Sequence, residues 1–127
     1  MLGAHPDLSR AAGYVPEYLH DVGYRVLPVN VRYAGQTLWG ERVRVTLAEI
    51  AEPVDIVDVF RRAEDVMAHL DDLLSMQPRP RCVWLQLGIV QPALVEPLAA
   101  VGIALVQDRC TLADHRRFAL PKVASLA

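Results

Sequence analysis

The chain has 127 residues, a formal net charge of −2, and 53% hydrophobic against 22% charged residues. That length predicts one domain, large enough to bury roughly two-thirds of the surface its unfolded chain exposes. The composition excludes disorder, and the charge gives no electrostatic footprint for nucleic acid or a membrane surface. No apolar run approaches the about 20 residues of a membrane helix.

The first residues, Met1 to Pro6, lack the basic region and apolar stretch of a secretory signal. Two cysteines, Cys82 and Cys110, are too few for a disulfide scaffold, so a cytoplasmic, reduced protein is expected. Twelve arginines stand against one lysine, Lys122. A bound phosphate would therefore be met by guanidinium forks or backbone amides. Only Ser9, Ser75 and Ser125 are present, a poor stock for a hydroxyl-nucleophile hydrolase.

In chain order, the glycine turn Gly3-Ala4-His5-Pro6 comes first. Tyr14, Val15, Tyr18, Leu19 and Val22 then form one apolar stripe at helical spacing, stopped by Gly23. Pro16 places itself in the first turn of that helix, where a missing amide costs nothing. Tyr24–Val29 reads as a strand ending at Asn30. Residues 31 to 53 are irregular. Thr37–Gly40 and Val43–Val45 offer a short strand or turn, and Leu47–Ile50 one helical turn. Val54–Phe60 is a second β-type run. Phe60, Ala63, Val66, Met67, Leu70, Leu73 and Leu74 make the clearest helical stripe, closed by Gln77-Pro78-Arg79-Pro80. Cys82–Leu87 and Ile103–Val106 are two more strands. Between them a helix runs from Pro92 to Ala100, kinked by Pro97.

Short, nearly continuous apolar strands alternating with helices predict a parallel sheet covered on both faces, with right-handed crossovers. Ligands of such sheets bind beyond the carboxyl ends of the strands. The candidate positions are therefore Gly3-Ala4-His5, Val29-Asn30-Val31, Val59-Phe60-Arg61, Leu87-Gly88-Ile89 and Asp108-Arg109-Cys110. A NAD-binding domain normally ends its second strand in an acid that holds the ribose. Here that strand ends in Asn30, which speaks against NAD and suits a ribose that carries a phosphate.

Four ordered blocks carry a resemblance. They are Gly-Tyr-Arg-Val-Leu-Pro-Val-Asn (23–30), Glu-Pro-Val-Asp-Ile-Val-Asp-Val-Phe-Arg-Arg (52–62), Val-Trp-Leu-Gln-Leu-Gly-Ile (83–89) and Asp-Arg-Cys (108–110). The chain resembles the small stand-alone CoA-binding domain proteins, which are similar to the nucleotide-binding domain of the succinyl-CoA synthetase α subunit. The resemblance implies a Rossmann-like three-layer α/β fold with about five parallel strands in the order 3-2-1-4-5. It implies CoA or acyl-CoA lying across the carboxyl edge. Gly3, Ala4 and His5, followed by Ser9 and Arg10, would meet the phosphates. Pro28, Val29 and Asn30 would lie by the adenosine, and Val59, Phe60, Arg61, Gln86 and Gly88 by the pantetheine. The family commonly has a small residue where His5 stands, and proline where Val31 stands.

Arg10 is the leading phosphate partner. Asp55 and Asp58, three apart in a strand, point to opposite faces, with Asp58 expected to bond backbone. Phe60 and Trp84 read as core. His69 falls on the polar side of its helix and His115 in a tail, and neither joins the cysteines in a metal pattern. No catalytic constellation emerges, so a binding protein without its own catalytic machinery is expected. The alternatives are a CoA-binding subunit of a ligase-type enzyme with a separate partner, and a NAD(H)-linked nucleotide sensor. Exposed apolar residues between 31 and 50 suit a homodimer. Met1 and Leu2 alone precede the glycine turn, so the central strand is expected to be truncated, and adding upstream residues to raise stability.

Overall fold

The computed structural model describes residues 1–123. In chain order its elements are α1 (Ala11–Asp21), the strands β1 (Thr37–Leu38) and β2 (Glu41–Arg42), β3 (Ile56–Val59), α2 (Ala63–Val66), α3 (Leu70–Ser75), β4 (Cys82–Leu85), α4 (Val95–Ala99), β5 (Ala104–Val106) and α5 (Thr111–Arg117). Strands β3, β4 and β5 pair in parallel in that order, with Ile56 opposite Cys82 and Cys82 opposite Ala104. The sheet continues past β3 through single parallel bridges: Val59 to Leu2, Leu2 to Val29, and Val29 to Arg44. Numbered along the chain, the order is 3-2-1-4-5-6.

The layout is Rossmann-like, and one assignment shifts. The third position belongs to the irregular segment around Arg44, and the run expected there, Val54–Phe60, takes the fourth beside Leu2. Arg44 reaches that edge through a hairpin whose turn, Trp39-Gly40, has φ of 53° and 75°. Two positive φ values fit the twist of a two-residue hairpin. The Tyr24–Val29 run bridges only at Val29. Pro28 before it has no amide to donate. The central strand is Leu2, paired on both sides.

The two sheet faces differ because side chains alternate along a strand. Val57, Val59, Val83 and Leu85 pack with Val66, Leu73, Leu94 and Leu98, all essentially inaccessible to water. Each such side chain contributes about 1.5–3 kcal/mol of burial. The helical stripe from Phe60 to Leu74 covers this face in two pieces, α2 and α3, joined by a 3-10 turn at Met67–His69. Phe60 lies outside both, in the loop. The Pro92–Ala100 helix likewise opens as 3-10 and becomes α4 at Val95.

The opposite face carries Ile56, Asp58 and Trp84, and α1 and α5 lie over it. Trp84 is only half-buried and donates Nε1–H to the Arg109 carbonyl at 2.6 Å. The expected tail holds a helix, α5. His115 within it is buried, with Nδ1 2.7 Å from Tyr18 Oη. A cavity of about 920 Å³ lies here, lined by Met1, Leu27, Val54, Ile56, Trp84 and His115 among others. It lies between this face of the sheet and α5, with Asp58 and Thr111 also in its lining.

Candidate functional site

A cleft of about 840 Å³ runs along the carboxyl edge, where Leu2, Val29 and β3 lie side by side and the chain leaves in opposite directions. Its floor is the glycine turn. Gly3 has φ of +87°, and a Cβ there would stand 2.6 Å from the Phe60 carbonyl oxygen. Only glycine lets the first loop cross the end of β3 this closely.

The loop is tied to α1 by a proline. Pro16 sits in the second turn, not the first, so the Ala12 carbonyl lacks its usual helical donor. The His5 amide donates to that oxygen at 3.0 Å. The loop satisfies the acceptor that the proline leaves free, which explains why an interior proline is tolerated. Gly13 completes the junction, since a Cβ there would overlap the Asp7 carbonyl oxygen. Asp7 Oδ1 accepts from both the Ser9 amide and the Ser9 hydroxyl, and these bonds hold its carboxyl below the ordinary range. The Ala11 and Ala12 amides, which line the cleft, find no acceptor among the described residues.

Across the cleft, Asn30 is buried and locks two loops together. Its Nδ2 donates to the Ala4 carbonyl at 2.9 Å, and its Oδ1 accepts from the Arg32 amide at 3.0 Å. Asn30→Ala should cost about 1–2 kcal/mol, because a buried carbonyl loses its donor. Urea unfolding measures this; an unchanged midpoint would show that the bridge contributes nothing. His5 spans the same gap. Its Nδ1 accepts from the Asp7 amide at 3.0 Å, and its Nε2 lies 2.8 Å from Tyr33 Oη, with the two rings edge to face.

The far wall comprises Phe60 to Glu64 and Leu87 to Ile89. Four arginines line the cleft: Arg10, Arg32, Arg61 and Arg62, against one acid, Glu64. Arg62 is paired with Asp65 at 2.9 Å, and Arg10 stands 3.8 Å from Asp7. Arg32 and Arg61 have no acidic partner among the described residues, and the Arg61 Nε is buried without any partner there. Gly88 is fixed by its amide, which donates to Asp108 Oδ1 at 2.7 Å.

Beneath this wall lies a buried polar knot. Asp58 Oδ1 accepts from Gln86 Nε2 at 2.5 Å, and Asp58 Oδ2 accepts from Thr111 Oγ1 at 3.0 Å. Burial pushes the Asp58 carboxyl up to about 6 despite those bonds. The partners of Asp58 are thus mainly side chains of β4's end and α5, which no local pattern specifies.

Of the expected site residues, Gly3, His5, Arg10, Asn30, Phe60, Arg61 and Gly88 line the cleft. Ala4, Pro28, Val29 and Val59 are buried in its supports, Ser9 faces solvent on Asp7, and Gln86 turns under the sheet to Asp58. Phe60 is a cleft residue, not core. Arg32, Tyr33, Arg62 and the amides of Ala11 and Ala12 were not marked by any strand-end position. Arg32 and Tyr33 follow Asn30 almost directly, in the single 3-10 turn that Asn30 caps. Among the described residues no cluster of His, Cys, Asp or Glu is arranged to hold a metal ion. No helix there is long and apolar enough to cross a membrane.

Fold and cleft together define a Rossmann-like α/β protein with a basic groove at its carboxyl edge. The chain belongs to the CoA binding domain family, whose model matches residues 1–116. It is 30% identical over 114 residues to YneT of Bacillus subtilis (strain 168), covering 90% of this chain and 80% of that one. The solved structure of cell-free ID.343 from Thermus thermophilus shares 49% identity at a TM-score of 0.87, with 91% of this chain and 85% of that one covered. A protein from Pyrococcus horikoshii OT3 shares 27% identity at a TM-score of 0.82, covering 91% and 79%.

Proposed function

We propose that this protein holds CoA or acyl-CoA across the carboxyl edge of its sheet, without catalytic machinery of its own. The observation that carries the reading is the groove's donor set. Four arginines and two unengaged helix-start amides face one acid, an arrangement that suits a ligand with several phosphates. At the groove's other end Phe60, Leu87 and Ile89 offer apolar surface for the pantetheine arm. The engaged state of His5 fits binding rather than proton transfer. The same reading makes the protein cytoplasmic, with CoA as its small-molecule partner.

CoA at 100 times its Kd should stabilise the fold by about 2.7 kcal/mol, raising Tm by about 10 °C at this chain length. Differential scanning fluorimetry with CoA and NAD(H) tests this. No shift at millimolar CoA, or tighter binding of NAD(H) in competition, would sink the reading.

A further inference from the structure

The cavity beside α5 also passes through the plane of the sheet. Ile56 and His115 line it from one face, and Leu47, Ile50 and Met76 from the other. Its side walls are residues 25–27 and 54–58. We propose that this opening is a strand-acceptor slot, which takes an extended apolar peptide of another molecule parallel to both walls, with the peptide's carboxylate end at the Met1 amino group.

The main chain dictates the form of the occupant. Alternate residues of a parallel strand turn their N–H and C=O groups to the same side. The Leu2 amide donates to the Asp58 carbonyl at 2.8 Å, and the Leu2 carbonyl accepts from the Phe60 amide at 2.9 Å. Positions 56, 58 and 60 therefore face the middle place of the sheet. On the other wall the Val29 amide donates to the Met1 carbonyl, and the Met1 amino group donates to the Leu27 carbonyl, each at 2.9 Å. Positions 25, 27 and 29 thus face the same place. On the amino side of Met1, the Leu27 and Asp58 amides and the Ile56 carbonyl face the slot without a partner among the described residues. Inward main-chain groups require partners. An apolar small molecule supplies none, whereas an added strand supplies a donor and an acceptor to each wall.

Register fixes which side chains fit. Leu2 stands opposite Val59 and Val29. The last residue of the peptide therefore comes level with Val57 and Leu27, and the one before it with Ile56 and Val26. By alternation the last side chain meets the Leu47 and Met76 side, and the penultimate one faces α5. There His115 is buried, and its Nε2 has no partner among the described residues. A threonine hydroxyl at the penultimate position supplies one. Burial lowers the Met1 amino group to about 6, and Asp58 offsets this only in part. A peptide carboxylate beside it supplies the counter-charge.

Titration of the 127-residue chain with acetyl-Val-Ile-Thr-Val, its C-terminal amide and decanoate tests the slot, read by calorimetry and amide hydrogen exchange. The free-acid peptide should bind about tenfold more tightly than the amide. It should slow exchange at Leu27 and Asp58 about tenfold and leave Val57, which faces β4, unchanged. Valine in place of the threonine should weaken binding about threefold. The same four residues placed directly before Met1 should fill the slot and abolish binding of the added peptide. No peptide binding, or binding without new protection at Leu27 and Asp58, overturns the proposal. Undiminished binding to the extended chain places the peptide elsewhere and overturns it too. Decanoate binding as tightly as the peptide would make the cavity a site for apolar acids instead.

Discussion

Gly3→Ala should lower stability by about 3 kcal/mol or more. A left-handed backbone costs a residue with a side chain about 1–2 kcal/mol, and an added atom in a packed place costs about 1–3 kcal/mol more. The methyl would stand 2.6 Å from the Phe60 carbonyl oxygen, a backbone atom that cannot swing away. Relief requires the first loop to lift off the end of β3, which also opens the groove. Gly35→Ala is the matched comparison: its φ is +86°, yet nothing lies within 4 Å of the added carbon. It should cost only the backbone part. Urea midpoints for the two variants decide the matter. Equal losses would show that conformation alone, and not the crossing of the first loop over β3, makes Gly3 necessary.

Asp58 should make stability fall as pH rises between about 4 and 6. Its carboxyl is raised by burial from its ordinary value of 3.8 to about 6, so across that interval the folded chain binds a proton that the unfolded chain has lost. The stabilisation is complete below 3.8 and gone above 6. A shift of about two units corresponds to about 3 kcal/mol. Asp58→Asn keeps the shape and removes the titration. Its stability relative to the wild type should therefore rise by about that amount between pH 4 and pH 7. Urea unfolding of both proteins at the two pH values measures this difference; groups remote from Asp58 cancel, whereas the Met1 ammonium, which feels the Asp58 charge, contributes to it as well. Parallel behaviour of the two proteins would place the Asp58 carboxyl in its ordinary range and the knot with Gln86 and Thr111 outside the pH response.

The positions of these two residues illustrate what local pattern conveys. Gly3 was legible because a glycine after a β-type residue and before a helical stripe marks a turn, whatever surrounds it. Asp58 was legible as an oddity among branched residues, but its partners were not. Gln86 and Thr111 lie 28 and 53 positions away in the chain and meet it because β4 and α5 are folded against β3. His115 shows the same limit. Beside Arg116 and Arg117 it reads as a charged tail, yet it is buried against Tyr18, 97 positions earlier. Pro16 shows it in reverse. Helix rules put it in the first turn, and it stands in the second because His5 of the loop takes the carbonyl it leaves free.

By itself the sequence determined the alternation of strands and helices, the glycine turn and the ends of the strands from which the groove is built. Those features depend on apolar periodicity and on the backbone freedom of single residues, both properties of neighbours along the chain. Only the tertiary structure decided that Arg44 borders Val29, that Leu2 separates Val29 from β3, and that Arg10, Arg32, Arg61 and Arg62 face one space. Strand order is chosen by burial of apolar faces between segments distant in sequence. The chemistry of the groove follows from that choice, since an arginine's worth as a ligand depends on which charges the fold sets beside it.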